Sequence, residues 1–255
     1  MASFSLVNTS LMAFLVLIGY SQALYAESDM VIDSSQTSCL LEPSMDVELS
    51  SAVQGVVRQM NVRRGDSVKK NQIVMKLNSS VEQAMLDTAS ARLEFAKREV
   101  KRNADLYHKN LISESEQDEM LTEQNLAEFQ VKEAKVRLRQ RETRSPLSGV
   151  VVKRLKQPGE YVDETPFLRV VSLNPLHAEV FIQADLYGEI SKNSTITLYT
   201  DSSETGYAGE IKLIDPIIDA ASNTFAITVE LDNKKGQLVA GTRCRVEFTK
   251  TTSDH

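Results

Sequence analysis

The sequence predicts an elongated, multidomain chain of mixed α and β structure. A small β-domain is split by a long helical insertion and followed by a small antiparallel β-barrel. A repeat indicates the split, because the run from Gly55 to Leu77 has the same pattern as the run from Gly149 to Val171. Neither half can bury its apolar face alone, so the halves are expected to pair. Residues 79–144 indicate the insertion, since they lack glycine and have helical periodicity.

The N-terminal segment is typical of a secretory signal peptide over residues 1–26. It has no charged side chain, and its apolar run from Leu11 to Tyr20 is shorter than the roughly 20 residues that span a bilayer. Cleavage after Ala23 or after Ala26 fits the small-residue rule, and an uncleaved anchor is the alternative. A polar arm is predicted to follow over residues 27–45.

The charge and cysteine content of the chain bear on its partners and its compartment. The formal net charge is −6 at pH 7, which argues against a nucleic-acid-binding surface. The two cysteines, Cys39 and Cys244, lie near opposite ends of the exported chain, where an oxidising compartment would allow a disulfide between them. Alternatively, Cys244 is only a small buried residue.

The two β-halves are predicted over residues 46–78 and 145–172. Strands are expected from Val47 onwards, and Pro146 should end the helical insertion just before the second half begins. Four glycines at matching positions of the two halves are predicted as structural turns: Gly55, Gly65, Gly149 and Gly159.

The insertion, residues 79–144, is predicted to be an antiparallel helical hairpin with arms roughly 40 Å long. Ser79 or Ser80 can cap the first helix, the pattern breaks over residues 108–113, and Ser113 or Ser115 can cap the second. Two seams with spacings of three and four residues should face each other. The first contains Leu86, Ala89, Leu93, Ala96, Val100, Asn103 and Tyr107, and the second Met120, Gln124, Ala127, Val131, Ala134, Leu138 and Arg141.

The final β-domain is predicted over residues 173–250, with a short tail over residues 251–255. Short alternating runs separated by turn residues are typical of a small antiparallel barrel. The predicted strands are Ala178–Ile182, Thr195–Tyr199, Gly209–Ile214, Phe225–Leu231 and Arg243–Phe248.

No pattern in the sequence indicates catalysis. The three histidines, His108, His177 and His255, have no second ligand at metal-binding spacing, and no nucleophile elbow, phosphate loop or dinucleotide glycine motif is present. The sequence therefore predicts a protein that is not an enzyme and that binds no cofactor and no metal.

Three motifs resemble one family, the periplasmic adaptors of tripartite efflux and secretion systems, also called membrane fusion or HlyD-like proteins. They are residues 65–70, 145–151 and 238–241. The resemblance implies a lipoyl-like domain, also called a barrel-sandwich hybrid, that is split by a coiled-coil hairpin and followed by a β-barrel. Asn71, Ala240 and Thr242 depart from the family pattern and put local turn geometry in doubt.

Arg102, Leu106 and Ser113 resemble the tip motif with which such adaptors dock on an outer-membrane channel. Arg102 and Leu106 share a helical face close to the break, and Ser113 begins the returning helix, so a cation, an apolar side chain and a hydroxyl should converge. The alternative is purely structural: a solvated Arg102, a Leu106 that packs the hairpin and a Ser113 that only caps a helix.

The resemblance implies a periplasmic adaptor between an inner-membrane efflux pump, expected to be of the resistance-nodulation-division type, and an outer-membrane channel. It also implies a homo-oligomer of six copies and no catalysis. The short ends predict that the membrane-proximal domain of many such adaptors is absent. Two alternatives stay open: an adaptor of an ATP-driven exporter, and a lipoyl or biotinyl carrier. Met75, Lys76 and Leu77 are similar to a carrier motif, although Lys76 is predicted at a strand end rather than at a displayed turn.

Overall fold

A computed structural model of the chain describes residues 37–201 and 203–248. The predicted signal peptide, residues 27–36 of the arm and the tail lie outside the described residues. The elements are β1 (Ser38–Leu49), β2 (Gly55–Met60), β3 (Ser67–Val68), β4 (Ile73–Leu77), α1 (Ser80–His108), α2 (Glu114–Gln140), β5 (Glu142–Arg144), β6 (Gly149–Arg154), β7 (Tyr161–Val162), β8 (Leu168–Gln183), a 3-10 helix (Ala184–Leu186), β9 (Thr195–Thr200), β10 (Ser203–Ile214), β11 (Thr224–Leu231) and β12 (Arg243–Phe248).

Six strands form a closed barrel. They are hydrogen-bonded in the order β1-β12-β9-β10-β11-β8, and β8 also pairs with β1, which closes the ring. Every second residue of β11 points inwards, from Phe225 to Leu231, as expected for a strand with one face on a core. The barrel therefore leaves no unpaired edge between its first and last strands.

Strand β1 corrects the predicted arm, because it begins at Ser38 rather than at Val47. Cys39 and Leu41 point into the barrel and are buried, whereas their neighbours in sequence are more exposed. The serine-rich composition hid this alternation. Pro43 lies at a register shift between β1 and β8, where a missing N–H group is tolerated.

Strand β8 belongs to both β-domains. Its first residues, Leu168–Val171, pair with β6, and residues 176–183 pair with β11. Strand β1 runs beside β8 over almost its whole length. The strand predicted to begin at Ala178 is therefore the second part of a longer strand that crosses the expected boundary between residues 172 and 173.

The two halves of the repeat interlock through equivalent hydrogen bonds. The Gly65 N–H donates to the Val151 carbonyl at 2.8 Å, and the Gly159 N–H donates to the Val57 carbonyl at 2.8 Å. Both glycines have φ of 92°, a conformation that other residues rarely adopt. The halves are thus paired copies of one motif, as the repeat predicts.

Gly55 and Gly149 were expected in turns, but they are the first residues of β2 and β6. At Gly149 the requirement is close approach, because a Cβ atom would lie 2.1 Å from the carbonyl oxygen of Val171. Asn71, in contrast, does occupy a turn, with φ of 68°. Asparagine tolerates this conformation, so the turn forms with Asn71 in place.

Helices α1 and α2 lie between the two halves, in the insertion after β4, and pack against each other. Their buried cluster consists of Leu93, Ala96, Ala127 and Val131, all on the predicted seams. Arg92 of α1 donates to Glu123 of α2 at 2.7 Å, and Asn103 donates to the Met120 sulfur, so the helices run in opposite directions. In the part of the chain that the structure describes, no helix has the length and apolarity needed to cross a bilayer.

Candidate functional site

Within residues 37–201 and 203–248, no group of three His, Cys, Asp or Glu side chains is placed to hold a metal ion. His177 lies within β8, between Glu42 of β1 and Glu230 of β11. An open groove of about 590 Å³ runs along the first turns of α1. The predicted docking residues lie at and beside the connection between the two helices.

The connection is a tight turn that is hydrogen-bonded to the last turn of α1. The N–H groups of Lys109, Asn110 and Leu111 donate to carbonyl groups of Asp105, Tyr107 and Leu106. Asn110 has φ of 54°, the left-handed conformation that commonly ends a helix. The turn holds Leu111 in solvent with 67% of its surface exposed.

Arg102 and Leu106 lie one turn apart on α1 and are both exposed. The Arg102 side chain is 66% exposed, and its nearest carboxylate oxygen, on Glu99, is 3.7 Å away. An exposed ion pair of this length contributes little, at most about 1 kcal/mol. Both Arg102 and Leu106, which is 37% exposed, are thus free to contact a partner.

Ser113 is the N-cap of α2, and Ser115 is not. Its hydroxyl accepts from the Glu116 N–H at 3.2 Å and donates to the Glu116 carboxylate at 2.8 Å, while its own N–H donates to that carboxylate at 2.8 Å. These bonds, first that of the Ser113 N–H, hold the pKa of Glu116 below its usual value. The structure gives no hydrogen bond from Ser113 to Arg102 within the described ranges, so the predicted convergence of the trio stays a prediction.

Sequence reasoning missed the acidic groove beside this turn. A cavity of about 370 Å³ between the helices has four carboxylates and two apolar side chains in its lining. The sequence pattern does not show that acidic residues of α2 line the same cavity as Glu99 of α1. The lining residues are Glu99, Asn103, Ile112, Glu116, Glu119, Met120 and Glu123.

Arg141 fixes the base of the helical pair, another role that the sequence did not reveal. Its guanidinium donates to the Gln54 carbonyl at 2.9 Å and to Glu82 of α1 at 2.5 Å. Its carbonyl accepts from the Leu77 N–H at 2.9 Å. One residue thus joins the end of α2, the start of α1 and the β-halves.

Lys76, the residue similar to a carrier lysine, is within β4 rather than on a displayed turn. Its amine lies 2.9 Å from a carboxylate oxygen of Glu142. The hydrogen bond from Lys76, followed by that from Arg144, lowers the pKa of Glu142 below its ordinary value. Lys76 is therefore part of a structural ion pair between the halves.

Comparison with protein families assigns both β-domains. The CzcB-like barrel-sandwich hybrid domain matches residues 46–172, and the CusB-like β-barrel domain matches residues 176–252. Together the two matches cover most of the chain in the order that the structure shows.

The chain belongs to the membrane fusion protein family. The family consists of periplasmic adaptors, so the sequence-based recognition is confirmed. The barrel-sandwich hybrid and the closed six-stranded barrel also agree with the predicted fold class.

Solved structures of low sequence identity share this fold. A MacA-MexA chimeric protein containing the Pseudomonas aeruginosa MexA α-hairpin domain aligns with a TM-score of 0.71 and 18% identity, over 83% of this chain and 78% of that one. The membrane fusion protein Spr0693 from Streptococcus pneumoniae R6 has a TM-score of 0.66 and 18% identity, over 83% and 99%. A putative efflux transporter from Bacteroides eggerthii has a TM-score of 0.66 and 19% identity, over 84% and 69%.

An uncharacterized protein of Haemophilus influenzae is 24% identical over 220 residues. The match covers 85% of this membrane fusion protein but 57% of that relative. The chain thus spans a little more than half the length of the curated relative that it matches.

Proposed function

We propose that this membrane fusion protein is a periplasmic adaptor without catalysis of its own, which links an inner-membrane efflux pump of the resistance-nodulation-division type to an outer-membrane channel. In this proposal α1 and α2 form a coiled-coil hairpin inserted into the lipoyl-like domain, and six copies assemble around the transport path. The observation that carries it is the end of the helical pair, where Arg102 and Leu106 near the end of α1 and Leu111 on the hydrogen-bonded turn are exposed.

The outer surface of the helices supports assembly into an oligomer. Phe129, Phe95 and Leu126 are 64%, 53% and 51% exposed, whereas two of the four residues in the buried cluster between α1 and α2 are alanines, Ala96 and Ala127. Large apolar side chains on a solvent-facing surface mark an interaction site. In the proposed ring they are covered by the helices of neighbouring copies.

The end of the pair supports docking on another helical protein. A guanidinium with only a weak intrachain partner can form a bidentate pair with a carboxylate, and two leucines beside it can enter an apolar pocket. Arg141 holds the opposite end of the pair on the β-halves, so contacts at the turn act on an anchored element.

Charge reversal at the turn tests the proposal. Arg102→Asp should reduce co-purification of the exported protein with its cognate outer-membrane channel by at least about tenfold, since a typical charged contact at an interface is worth more than 1.4 kcal/mol. Lys101→Asp is the matched control, because it makes the same charge change on the next exposed residue of α1. Equal recovery of the channel with Arg102→Asp and with wild type would refute docking through Arg102.

A further variant distinguishes the two interpretations of Ser113. Asparagine caps helices as well as serine does, so Ser113→Asn should preserve α2 while it changes the hydroxyl. Loss of channel binding with intact helix content would show that Ser113 contacts the channel. Unchanged binding would leave Ser113 with only its capping role.

The alternatives make different predictions for the same purified protein. A carrier would show a lipoyl or biotinyl mass increase on Lys76, whereas an adaptor should have the unmodified mass. An adaptor of an ATP-driven exporter should co-purify with an ATPase rather than with a proton-driven pump. Fractionation of cells should place the protein in the periplasm, with the pump-associated part recovered in the membrane fraction.

A further inference from the structure

Strand β1 is held unequally on its two sides in the barrel. On one side it pairs with β8 over almost its whole length. On the other side it pairs with β12 at two positions, Cys39 with Cys244 and Leu40 with Arg243. The boundary between β1 and β12 is called here the seam. Among the neighbouring strands of the described barrel, the seam is the shortest pairing, so backbone hydrogen bonds contribute least to closing the ring there.

A covalent bond crosses the seam. Cys39 and Cys244, which are 205 residues apart in sequence, are joined by a disulfide. Next to it, two backbone hydrogen bonds continue the contact: the Leu41 N–H donates to the Thr242 carbonyl at 2.9 Å, and the Gly241 N–H donates to the Leu41 carbonyl at 2.6 Å. Without the disulfide, closure of the barrel would depend at this point on a few hydrogen bonds.

Separation of β1 from β12 would open the barrel at one place and leave its other strands paired. Strand β1 would remain on β8, and β12 would remain on β9. Leu41 of β1 and Val246 of β12 belong to the barrel core, each with 1% of its surface exposed, and this part of the core would meet water. Both strands would also gain an unpaired edge, which favours strand addition by other chains.

Both cysteines are buried while the seam is closed. Cys39 is 4% exposed and Cys244 is 6% exposed. Thiol–disulfide exchange requires a thiolate to reach the sulfur that it attacks, so burial excludes both oxidants and reductants from the closed barrel. The bond must therefore form while the seam is open, and closure then protects it from reduction.

We propose that closure of the barrel depends on oxidation: the Cys39–Cys244 disulfide closes the seam, and a protein thiol oxidant with an exchangeable disulfide forms this bond on the open chain. One cysteine thiolate attacks the disulfide of the oxidant, which gives a mixed disulfide and releases one oxidant thiol. The second cysteine thiolate attacks the chain's sulfur in the mixed disulfide and releases the second oxidant thiol. The oxidant gains two electrons and two protons, which the chain loses.

Hydrogen exchange of the purified protein, followed by NMR, tests the dependence on oxidation. Wild type is compared in its oxidised form and after reduction in urea and refolding with reductant. The N–H groups of Leu41 and Gly241 cross the seam, so their exchange rates relative to those of β11 should rise at least about tenfold on reduction. Reduced wild type keeps every side-chain carbon and sulfur atom, so no cavity contributes to the difference. Exchange in the variant with both cysteines replaced by alanine should not respond to reductant.

Single-cysteine variants test the oxidant. Cys39→Ala leaves Cys244 without a resolving thiol, so a purified periplasmic thiol oxidant in its disulfide form should accumulate as a mixed disulfide with it. Mass spectrometry should show the summed mass of the two proteins. Cys244→Ala should form the same adduct through Cys39, and the variant without cysteines is the matched control that should form none. Reduced wild type should become oxidised without a lasting adduct, because its second thiol resolves the mixed disulfide.

Several outcomes would overturn the proposal. If reduction leaves the rates of Leu41 and Gly241 unchanged relative to β11, the disulfide stabilises the barrel as a whole and the seam does not open separately. If neither single-cysteine variant forms the mixed disulfide, the thiols stay buried without the bond and the oxidant does not act as proposed. These measurements involve neither a pump nor a channel, so their failure would leave the proposed adaptor function standing.

Discussion

The barrel buries its largest apolar side chains, whereas the helical pair exposes its own to solvent. In the barrel, a core of sixteen buried residues includes Phe225, which is 1% exposed. In the helical pair, the buried cluster has four residues, two of them alanines, and the phenylalanines Phe95 and Phe129 lie outside. The barrel therefore supplies its own hydrophobic stabilisation, whereas the helices leave large apolar side chains exposed.

This difference agrees with the proposed assembly, in which the barrel is self-contained and the helices contact neighbouring copies. Alanines in the contact between α1 and α2 let the helices approach closely but contribute little buried area. We infer that the helical pair reaches its full stability in contact with other copies or with a partner.

The largest expected effect is on the barrel, and it is seen when a phenylalanine is replaced with alanine in each of the two regions. Phe225→Ala should destabilise the barrel by about 3–5 kcal/mol, because it removes a fully buried aromatic side chain. Phe129→Ala should change the unfolding free energy of the dilute protein by less than about 0.5 kcal/mol, since Phe129 is 64% exposed. Urea unfolding followed by circular dichroism measures both. Equal costs would show that Phe129 is buried by its own chain and would remove the contrast.

Removal of the disulfide should give the next largest loss of stability, and the loss should be confined to the barrel. Cys39 and Cys244 are directly opposite each other on β1 and β12, with Cα atoms 4.8 Å apart, and are joined by a disulfide. These strands share only two register pairs, Cys39 with Cys244 and Leu40 with Arg243. Replacing both cysteines with alanine should cost about 2–4 kcal/mol, because the loop between them spans most of the chain.

The measurement for the disulfide is urea unfolding with and without a reductant. Reduction should destabilise the wild type and leave the double alanine variant unchanged. An unchanged midpoint for the reduced wild type would show that strand pairing alone closes the barrel.

A smaller loss of stability is expected at the base of the helices, and it tests whether the helices depend on their contact with the β-halves. Arg141→Met should cost about 1–3 kcal/mol, since it leaves the Gln54 carbonyl and the Glu82 carboxylate without their donor. Hydrogen exchange of the first turns of α1 should become faster. Arg139→Met, an exposed position of the same helix end, is the control, and equal exchange in both variants would contradict an anchoring role for Arg141.

Periodicity predicted most of the elements because each buries one face. The alternating strand Phe225–Leu231 and the seams containing Leu93 and Val131 correspond to β11, α1 and α2. The start of β1 was missed because its inward residues are a cysteine and a leucine in a serine-rich run. The fusion of β8 across two domains was missed because local pattern does not show which partner strands a residue will have.

The turn between the helices was partly predictable from the sequence. The contacts of Arg141 and the exposure of Ile217 and Ile218 were not. A serine followed three residues later by a glutamate indicates a capping box, which Ser113 and Glu116 form. Arg141 looked like an ordinary seam residue, because its reach to Gln54 depends on how the halves close. Ile217 and Ile218 follow a strand end and Pro216, and only the folded barrel decides that they face solvent.

The strands β1 and β8 have a mechanical consequence. Since the same two backbones form part of the hybrid and part of the barrel, no flexible linker separates these domains along them. A load on the barrel would be carried along a hydrogen-bonded ribbon to the base of the helices, and bending would concentrate where the register shifts between Pro43 and Met45. We infer that displacement of the barrel would reach the hybrid through these two strands, and that the register shift is where their pairing is weakest.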